Sequence, residues 1–423
     1  MTLELQIVKC ADQGELRRNL PPALERHVPL LPADPQAPVL IKPNLNANMN
    51  ALTGNTTDLR ILAALLAWLK DHGRADITVG EGTNSGFYRN RISVITRLKV
   101  DELCRRFGVK ALDLNYARPH LIDFEGGEKA RVAWEAYEAS RKGLLINLPK
   151  LKTHFEMTMS VCLKNLMGCL LGQENKKKTH QSLAANILRL NQALKPQLHI
   201  VDALVAMEGL GPTRGTPLRL DSLLVGTDPY LLDLACAAVA GFDHRSIPTL
   251  KLAEERGLIT PAHRQAVREA PLPSAGRPFA PPKAGALASF IHSPKRQKYF
   301  LAVRRTPLFT YLASTDWFGG LLFKTGLRQD VFNQEELRCE GLALDETACD
   351  GCGVCAGACP MGRELPRALG DQDGQCLRCL YCYALCPRRA IVFKGGKGFY
   401  AEQERQYDQL IRGMARPAPA RKE

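Results

Sequence analysis

The sequence predicts an α/β protein with a mostly parallel sheet and helices on both faces, followed by a small C-terminal α+β domain. Two observations predict this class. Short apolar runs alternate with longer amphipathic runs over residues 1–258, as expected when helices cover both faces of a parallel sheet. Nine of the 14 cysteines then fall within residues 339–386, which marks a separate cysteine-rich unit.

The strands are predicted from apolar runs of strand length that end in Gly, Pro or polar residues. These runs are residues 37–45, 75–82, 141–150, 196–204 and 217–228, the last being a strand or a hairpin.

The helices are predicted from apolar spacing near 3.6 residues and from end signals such as Asp-Pro and Gly. They are residues 56–73, 159–172, 180–194 and 228–241. The lysine-rich residues 173–180 are expected to form a mobile loop.

Composition divides the chain into four segments. We expect an α/β domain over 1–258, a Pro/Gly-rich linker and basic-aromatic connecting segment over 259–335, a cysteine domain over 336–400, and a C-terminal helix and tail over 401–423. Residues 289–330 are expected to pack between the domains, or alternatively to contact a protein partner or a membrane surface.

Charge and hydropathy narrow the function. No apolar run approaches the ~20 residues of a membrane span, and the N-terminus lacks a signal-peptide pattern, so a cytoplasmic protein is expected. The net charge of +14 fits a solvated basic surface, an acidic partner, a phosphorylated or carboxylated substrate, or an anionic membrane. With no recognised binding motif and 6% aromatic residues, no nucleic-acid partner is expected.

Two copies of a C-x2-C-x2-C-x3-C-P motif carry the clearest chemical signal. They consist of Cys349, Cys352, Cys355 and Cys359, then Cys376, Cys379, Cys382 and Cys386. In this spacing the fourth cysteine points away from the first three and binds the other cluster. The prediction is therefore two [4Fe–4S] clusters, one held by Cys349, Cys352, Cys355 and Cys386, the other by Cys376, Cys379, Cys382 and Cys359. Zinc is the alternative, since paired C-x2-C units also bind zinc. This segment resembles bacterial two-cluster ferredoxins.

Polar side chains follow four of the predicted strands. The carboxyl ends of parallel strands form the ligand-binding edge of such sheets, so these residues are expected to converge on an anionic or oxygen-rich ligand. They are Lys42 and Asn44, then Glu81, then Asn147, Lys150, Lys152 and His154, and finally Asp202 and Glu208. Each also has a structural interpretation: Lys42 at an exposed turn, Lys150 and Lys152 as a solvated pair, His154 as a structural histidine, and Asp202 as a helix N-cap.

The stretches "KPNLN", "NLPKLKTHFEMTMSVCLKNLMG", "KKKTH" and "VDALVAMEGLGPTRGTP", with the later "GTDPYLLD", resemble the family called domain of unknown function 362. The resemblance covers about residues 37–241, and members often carry a two-cluster ferredoxin module. It implies the motif positions but no substrate. The candidates for catalysis are Lys150, Lys152, His154 and Glu208, and those for ligand binding are Lys42, Asn44, Glu81, Asn147, Lys164, Asn165, His180 and Asp202.

Three functions remain open at this point. The first is an oxidoreductase that moves electrons between the clusters and a ligand at the strand ends. The second is an electron-transfer or assembly component that docks on a redox partner. The third is a non-redox enzyme, isomerase-like or metal-using, with structural or sensing clusters, in which His154, His180, Glu81 and Asp202 supply metal ligands.

Overall fold

The computed structural model describes residues 3–282, 333–369 and 374–415. Thirteen strands are present in these ranges. They are β1 Leu5–Lys9, β2 Val39–Pro43, β3 Ile77–Glu81, β4 Lys110–Asp113, β5 Pro119–Asp123, β6 Lys129–Ala133, β7 Leu144–Leu148, β8 Lys150–His154, β9 Thr158–Ser160, β10 Leu198–Glu208, β11 Thr216–Gly226, β12 Arg338–Leu344 and β13 Ile391–Gly396.

Fifteen α-helices lie in the same ranges. They are α1 Gln13–Glu25, α2 Leu59–Asp71, α3 Ser85–Arg89, α4 Val94–Arg97, α5 Val100–Arg106, α6 Trp134–Lys142, α7 Cys162–Asn165, α8 Gly172–Thr179, α9 Leu183–Leu194, α10 Pro229–Ala240, α11 Pro248–Glu255, α12 Pro261–Glu269, α13 Val354–Ala358, α14 Tyr381–Leu385 and α15 Tyr400–Gly413.

Within the described ranges, one nine-stranded sheet organises the α/β domain, in the order β1-β11-β10-β7-β2-β3-β4. The strands from β10 to β4 run parallel, whereas β11 pairs antiparallel with both β1 and β10. A hairpin of β8 and β9 joins through β8, which runs parallel to β10. The predicted fold class, a mostly parallel sheet with helices, is confirmed.

Successive residues of the central strands belong alternately to two apolar cores, which shows that both faces of the sheet are covered. In β2, Val39 and Ile41 belong to a core with α1, α2 and α5, whereas Leu40 belongs to a core with α6 and α9. In β7, Ile146 and Leu145 divide in the same way. Apart from Lys42 and Asn147 near their carboxyl ends, these two strands are apolar, because neither face contacts water.

Three predicted elements differ in the structure. The helix expected over 159–172 is a strand, the short helix α7 and a 3-10 turn at Leu166–Cys169. Residues 173–180 were expected to be a mobile loop, but Gly172–Thr179 forms helix α8. Pro261–Glu269 is also helical, within the segment expected to be a linker, because Pro261 begins the helix and Thr260 with His263 forms a capping box.

The C-terminal domain pairs β12 with β13 antiparallel and packs its helices against the α/β domain. The apolar core is continuous between the two, because Val354, Leu377, Tyr381 and Ile411 join the core cluster that contains α1 and α2. No helix within the described ranges is long and apolar enough to cross a membrane. The basic-aromatic segment 289–330 and the tail 416–423 lie outside the described residues.

Candidate functional site

The structure brings the ends of β2 and β3 together through a buried ion pair. Lys42 Nζ lies 2.8 Å from Glu81 Oε1 and also donates to Pro43 O at 2.7 Å. The second carboxylate oxygen of Glu81 accepts the Leu45 backbone N–H at 2.8 Å. The backbone of Gly168 covers this pair so closely that a Cβ at this position would overlap Glu81 Oε1 and lie 2.7 Å from Lys42 Nζ.

A chain of amides connects the predicted site residues across three strands. Lys152 Nζ donates to Asn44 Oδ1 at 2.7 Å, and Asn44 Nδ2 donates to Asn165 Oδ1 at 2.8 Å. Asn165 Nδ2 then donates to Asn147 Oδ1 at 2.8 Å. All four side chains are buried. The chain fixes the orientation of each amide, because every oxygen accepts and every nitrogen donates.

A second buried network joins β8, β10 and the start of α2. Lys150 Nζ lies 2.9 Å from Asp202 Oδ2, which also accepts the Asp58 backbone N–H at 2.8 Å. Arg60 Nη2 lies 2.8 Å from Asp58 Oδ2. Burial opposes ionisation of Asp58, but the Arg60 charge and hydrogen bonds outweigh it and lower the pKa of Asp58. Burial raises the pKa of Asp202, although Lys150 opposes the shift.

These positions rule out three of the structural interpretations made from sequence. Lys42, Lys150 and Lys152 are buried within strands, so the first is not at an exposed turn and the other two are not a solvated pair. Asp202 lies inside β10 and caps no helix. The ammonium groups of all three lysines already contact protein oxygens, including those of Asn46 and Asn55 around Lys152.

His154 ends β8 and differs from the lysines beside it. Its Nδ1 accepts the backbone N–H groups of Glu156 at 3.1 Å and Met157 at 3.3 Å. The proton of the neutral ring therefore lies on Nε2. Burial lowers the pKa of His154 well below its ordinary value, and the charges of Lys164 and Lys152 lower it further. His154 is thus a neutral imidazole near pH 7.

Lys164 is half-buried on α7, close enough to His154 for their charges to interact. Burial lowers the pKa of Lys164 to about 8, against the opposing charge of Glu156. No hydrogen bond or ion pair of its ammonium occurs among the described residues. His180, which is partly exposed, pairs with the same Glu156 at 3.2 Å. A neutral imidazole, a readily deprotonated lysine and a His–Glu pair therefore lie in one region.

Glu208, at the end of β10, has a different partner. Its carboxylate pairs with Arg277, with Oε1 2.5 Å from Nη2 and Oε2 2.7 Å from Nη1, and accepts the Ala280 N–H at 2.7 Å. The hydrogen bonds from Arg277, despite partial burial, lower the pKa of Glu208. At neutral pH Glu208 is therefore an ionised carboxylate held by a guanidinium.

Sequence reasoning did not select Lys176, which α8 places beside the strand ends. Its ammonium donates to Gly82 O, Thr83 O and Asn115 Oδ1, each at 2.8 Å. Burial lowers the pKa of Lys176 to about 8, against the charge of Glu81. The lysine-rich composition of the segment was the available signal, but only the helix shows which lysine turns inward.

The metal-using form of the third hypothesis requires histidines and carboxylates to converge on a metal. Among the residues that the structure describes, no three His, Cys, Asp or Glu side chains form a group that could hold one metal ion. In particular, Glu81 and Asp202 are engaged by Lys42 and Lys150, and His180 by Glu156.

In the C-terminal domain, two cavities divide the eight motif cysteines. One is lined by Cys349, Cys352, Cys355 and Cys386, with Gly351 and Gly353 beside them. The other is lined by Cys359, Cys376, Cys379 and Cys382. Each wall offers four thiols, which is the ligand set that one [4Fe–4S] cluster needs. The residues therefore fit an iron–sulfur group, which supplies one-electron transfer when bound.

Tyr381 connects the second cavity with the α/β domain. It lies between Cys379 and Cys382 in sequence and is 1% exposed. Its hydroxyl accepts the backbone N–H of Leu59, the first residue of α2, at 3.3 Å. Burial raises the pKa of Tyr381, and the neighbouring Asp58 raises it further. The cysteine-rich loop thus abuts the network that contains Asp58, Asp202 and Lys150.

Comparison with known proteins matches both parts of the chain. Residues 39–238 match the family model described as domain of unknown function (DUF362), and residues 342–387 match that of a 4Fe-4S dicluster domain. A thylakoid-associated protein of Synechocystis sp. is 32% identical over 154 residues, which cover 33% of this chain and 47%, or about half, of that relative's length.

Among solved structures, the lactate racemase apoprotein from Thermoanaerobacterium thermosaccharolyticum aligns with a TM-score of 0.33 and 12% identity, over 55% of this chain and 56% of that one. The two family matches agree with the motifs in the strand ends and in the cysteine region. The chain therefore contains a DUF362 domain over residues 39–238 and a C-terminal 4Fe-4S dicluster domain over residues 342–387.

Proposed function

We propose that this protein binds two [4Fe–4S] clusters and transfers electrons to or from a ligand or a redox partner at its α/β domain. The observation that carries the proposal is the division of eight cysteines between two cavities, four in each. The division follows the crossed pattern expected of the doubled motif, because Cys386 lines the cavity of the first motif and Cys359 that of the second.

The arrangement favours clusters over zinc. Four thiolates around one zinc ion must converge to about 2.3 Å from a common centre. The described residues contain no group of that kind. A cubane cluster binds each thiolate to a different iron, so its ligands stand farther apart.

Electron transfer into the α/β domain is supported by how tightly the two domains join. Tyr381 and Leu377, both from the second cysteine loop, are buried in the core shared with α2. Arg60 of α2 also reaches the first cysteine loop, donating to Gly357 O at 3.4 Å. Such packing holds the cysteine loops at a fixed distance from the strand ends, as a transfer path requires.

For the ligand, we propose an anionic or oxygen-rich small molecule near His154, Lys164 and His180. Lys164 can donate to an anion, and His154 Nε2 can donate a hydrogen bond while the ring stays neutral. Of the catalytic candidates named from sequence, His154 is the one we retain. Lys150 and Lys152 form the buried support behind it, and Glu208 holds Arg277.

The direct test is iron and sulfide content of protein purified without air, with electron paramagnetic resonance of the reduced form. We expect about eight irons and two magnetically coupled reduced clusters. About four irons or fewer, or zinc in their place, would overturn the proposal.

A second candidate is a non-redox enzyme with structural clusters, which the position of Lys164 near the neutral His154 favours. A lysine with a pKa of about 8 can exchange a proton near neutral pH. The spectrum of the clusters during turnover distinguishes the two candidates. A redox enzyme changes this spectrum when a substrate is added, whereas a non-redox enzyme converts its substrate while the spectrum stays constant.

A further inference from the structure

A small cavity lies where the second cysteine loop meets the α/β domain. Its wall includes Asn50 and Arg97 from the α/β domain, Arg378 and Cys379 from the cysteine loop, and Gln403 from α15. The free space accommodates a body about the size of one water molecule.

Three nitrogen atoms on this wall are buried without a hydrogen-bond partner: Asn50 Nδ2, Arg97 Nη1 and Gln403 Nε2. The side chains are 6%, 5% and 3% exposed. An unpaired buried donor costs about 1–3 kcal/mol, so three at one cavity are a substantial cost that a bound acceptor removes.

The orientation of both amides is fixed by other contacts. Asn50 Oδ1 accepts the Leu52 N–H at 3.1 Å, and Gln403 Oε1 accepts the Asn50 N–H at 2.8 Å. Flipping either amide would break these bonds, so the unpaired group of each side chain is an N–H donor. Arg97 uses Nε and Nη2 on Glu336, at 2.9 and 2.6 Å, which leaves Nη1 for the cavity.

The wall is rich in donors and therefore favours an acceptor with no hydrogens of its own. Water accepts two hydrogen bonds but must also donate two. Among the described side chains that line the cavity, no acceptor is buried without a partner. No described carboxylate lines it, whereas Arg97 and Arg378 do, and Glu336, which neutralises Arg97, has a side chain 62% exposed to solvent.

We propose that this cavity binds a single small anion of halide size, held by Asn50, Arg97 and Gln403 against the backbone of the second cysteine loop. Binding of the anion does not depend on the proposed electron transfer. Its effect on a cluster does: with an iron–sulfur cluster bound through Cys379, the negative charge of the anion disfavours reduction. By linkage, reduction weakens anion binding to the same extent.

The test uses bromide as the probe, because its anomalous X-ray scattering locates it directly. In crystals of the full-length protein grown with sodium bromide, we expect one anomalous peak among Asn50, Arg97 and Gln403. Absence of this peak at a bromide concentration that labels surface sites, or a water molecule in its place, overturns the proposal.

A matched pair of variants separates the site from general charge effects. Gln403→Glu keeps the oxygen that accepts from Asn50 but replaces the donor with a charged oxygen. We expect bromide affinity to fall about tenfold or more, since a hydrogen bond to an ion is lost and a like charge added. Gln409→Glu makes the same charge change on an exposed face of α15 and should leave affinity unchanged. Equal affinities in both variants refute the assignment.

A redox titration gives the second readout. It compares the reduction potential of the clusters in bromide with that in a bulky anion at the same ionic strength. Bromide should lower the reduction potential in wild type and not in Gln403→Glu. If the protein lacks clusters, this titration has no signal but the anomalous peak remains, so the failure of the proposed function is distinguishable from the failure of the anion site.

Discussion

Replacing Lys150 with methionine tests whether the buried lysines support the fold or bind a ligand. Lys150 and Asp202 are both fully buried, 2.9 Å apart. Methionine preserves most of the volume and removes the charge. The carboxylates of Asp202 and Asp58 then remain buried together, with Arg60 as their neighbouring cation.

The size of the effect follows from the charges. At an effective dielectric constant of about 20, the attraction across 2.9 Å is about 6 kcal/mol, part of which only offsets desolvation. Asp202 in the variant can instead take up a proton. Removing Lys150 leaves burial to raise the pKa of Asp202 further, and protonating the carboxyl at pH 7 then costs free energy in the folded state. We therefore expect a loss of about 3–4 kcal/mol in the free energy of unfolding at pH 7.

The pH dependence identifies the cause. In the variant, the folded-state pKa of Asp202 lies above its unfolded value, so protonation stabilises the fold and this stabilisation is lost as pH rises. Each pH unit between the two pKa values is worth about 1.4 kcal/mol. Burial already raises the pKa of Asp202 in wild type, so only the further rise in the variant contributes to the difference. The loss relative to wild type should therefore shrink by less than about 1.4 kcal/mol per pH unit as pH falls from 7 to 5.

The assay is urea unfolding followed by circular dichroism, without air and with iron content matched between samples. Lys142→Met is the control, because the Lys142 side chain is 68% exposed, and it should change stability by less than about 0.5 kcal/mol. If Lys150→Met unfolds like this control but loses ligand binding, Lys150 contacts the ligand and the structural interpretation is wrong.

Four further outcomes are expected. Gly168→Ala should destabilise the protein by about 3 kcal/mol in the same unfolding assay, because its Cβ separates a buried ion pair; an unchanged midpoint would contradict this. Cys359→Ala and Cys386→Ala should each retain about half of the iron and should lose different clusters by electron paramagnetic resonance, whereas loss of the same cluster in both would refute the crossed assignment. Lys164 should react with an acylating reagent with a midpoint near pH 8, as burial lowers its pKa to about 8, and a midpoint near that of surface lysines would count against this. Tyr381→Phe should accelerate hydrogen exchange of the Leu59 amide and cost about 1 kcal/mol, unless water replaces the hydroxyl.

The sheet was predictable because its central strands are apolar on both faces. The hairpin of β8 and β9 was not, since Lys150, Lys152 and His154 alternate through a strand that is buried throughout. Lysine is rarely buried, so sequence reasoning placed these residues at the end of the preceding strand, where they would contact a ligand. The helix expected at 159–172 begins only at Cys162, because Thr158–Ser160 pairs with β8 as strand β9. Asp233 of α10 then accepts the Cys162 N–H at 2.7 Å.

In the site, motif reasoning identified which residues meet but not what each contacts. Lys42, Asn44, Lys152 and Asn165 do converge, as the strand ends predicted. Their hydrogen-bond partners come from segments far apart in sequence, and spacing alone carries no information about them. The eight cysteine ligands were easier to predict, because the fixed spacing of the motif itself determines which cysteines bind the same cluster.

The buried lysines and the region around His154 and Lys164 have different physical requirements. This explains why residues 147–165 contain both kinds of side chain. A lysine enclosed by oxygens, such as Lys152, stabilises the strand ends and cannot take up a ligand without losing those contacts. Lys164, lacking such contacts among the described residues, has the lowered pKa and the free donors that a ligand needs. The rigid network therefore holds β8, and with it His154, in place beside Lys164. Weakening the network should displace His154 before it changes the pKa of Lys164. In the Lys150→Met variant, Lys164 should therefore still titrate near pH 8 while the affinity for the ligand falls.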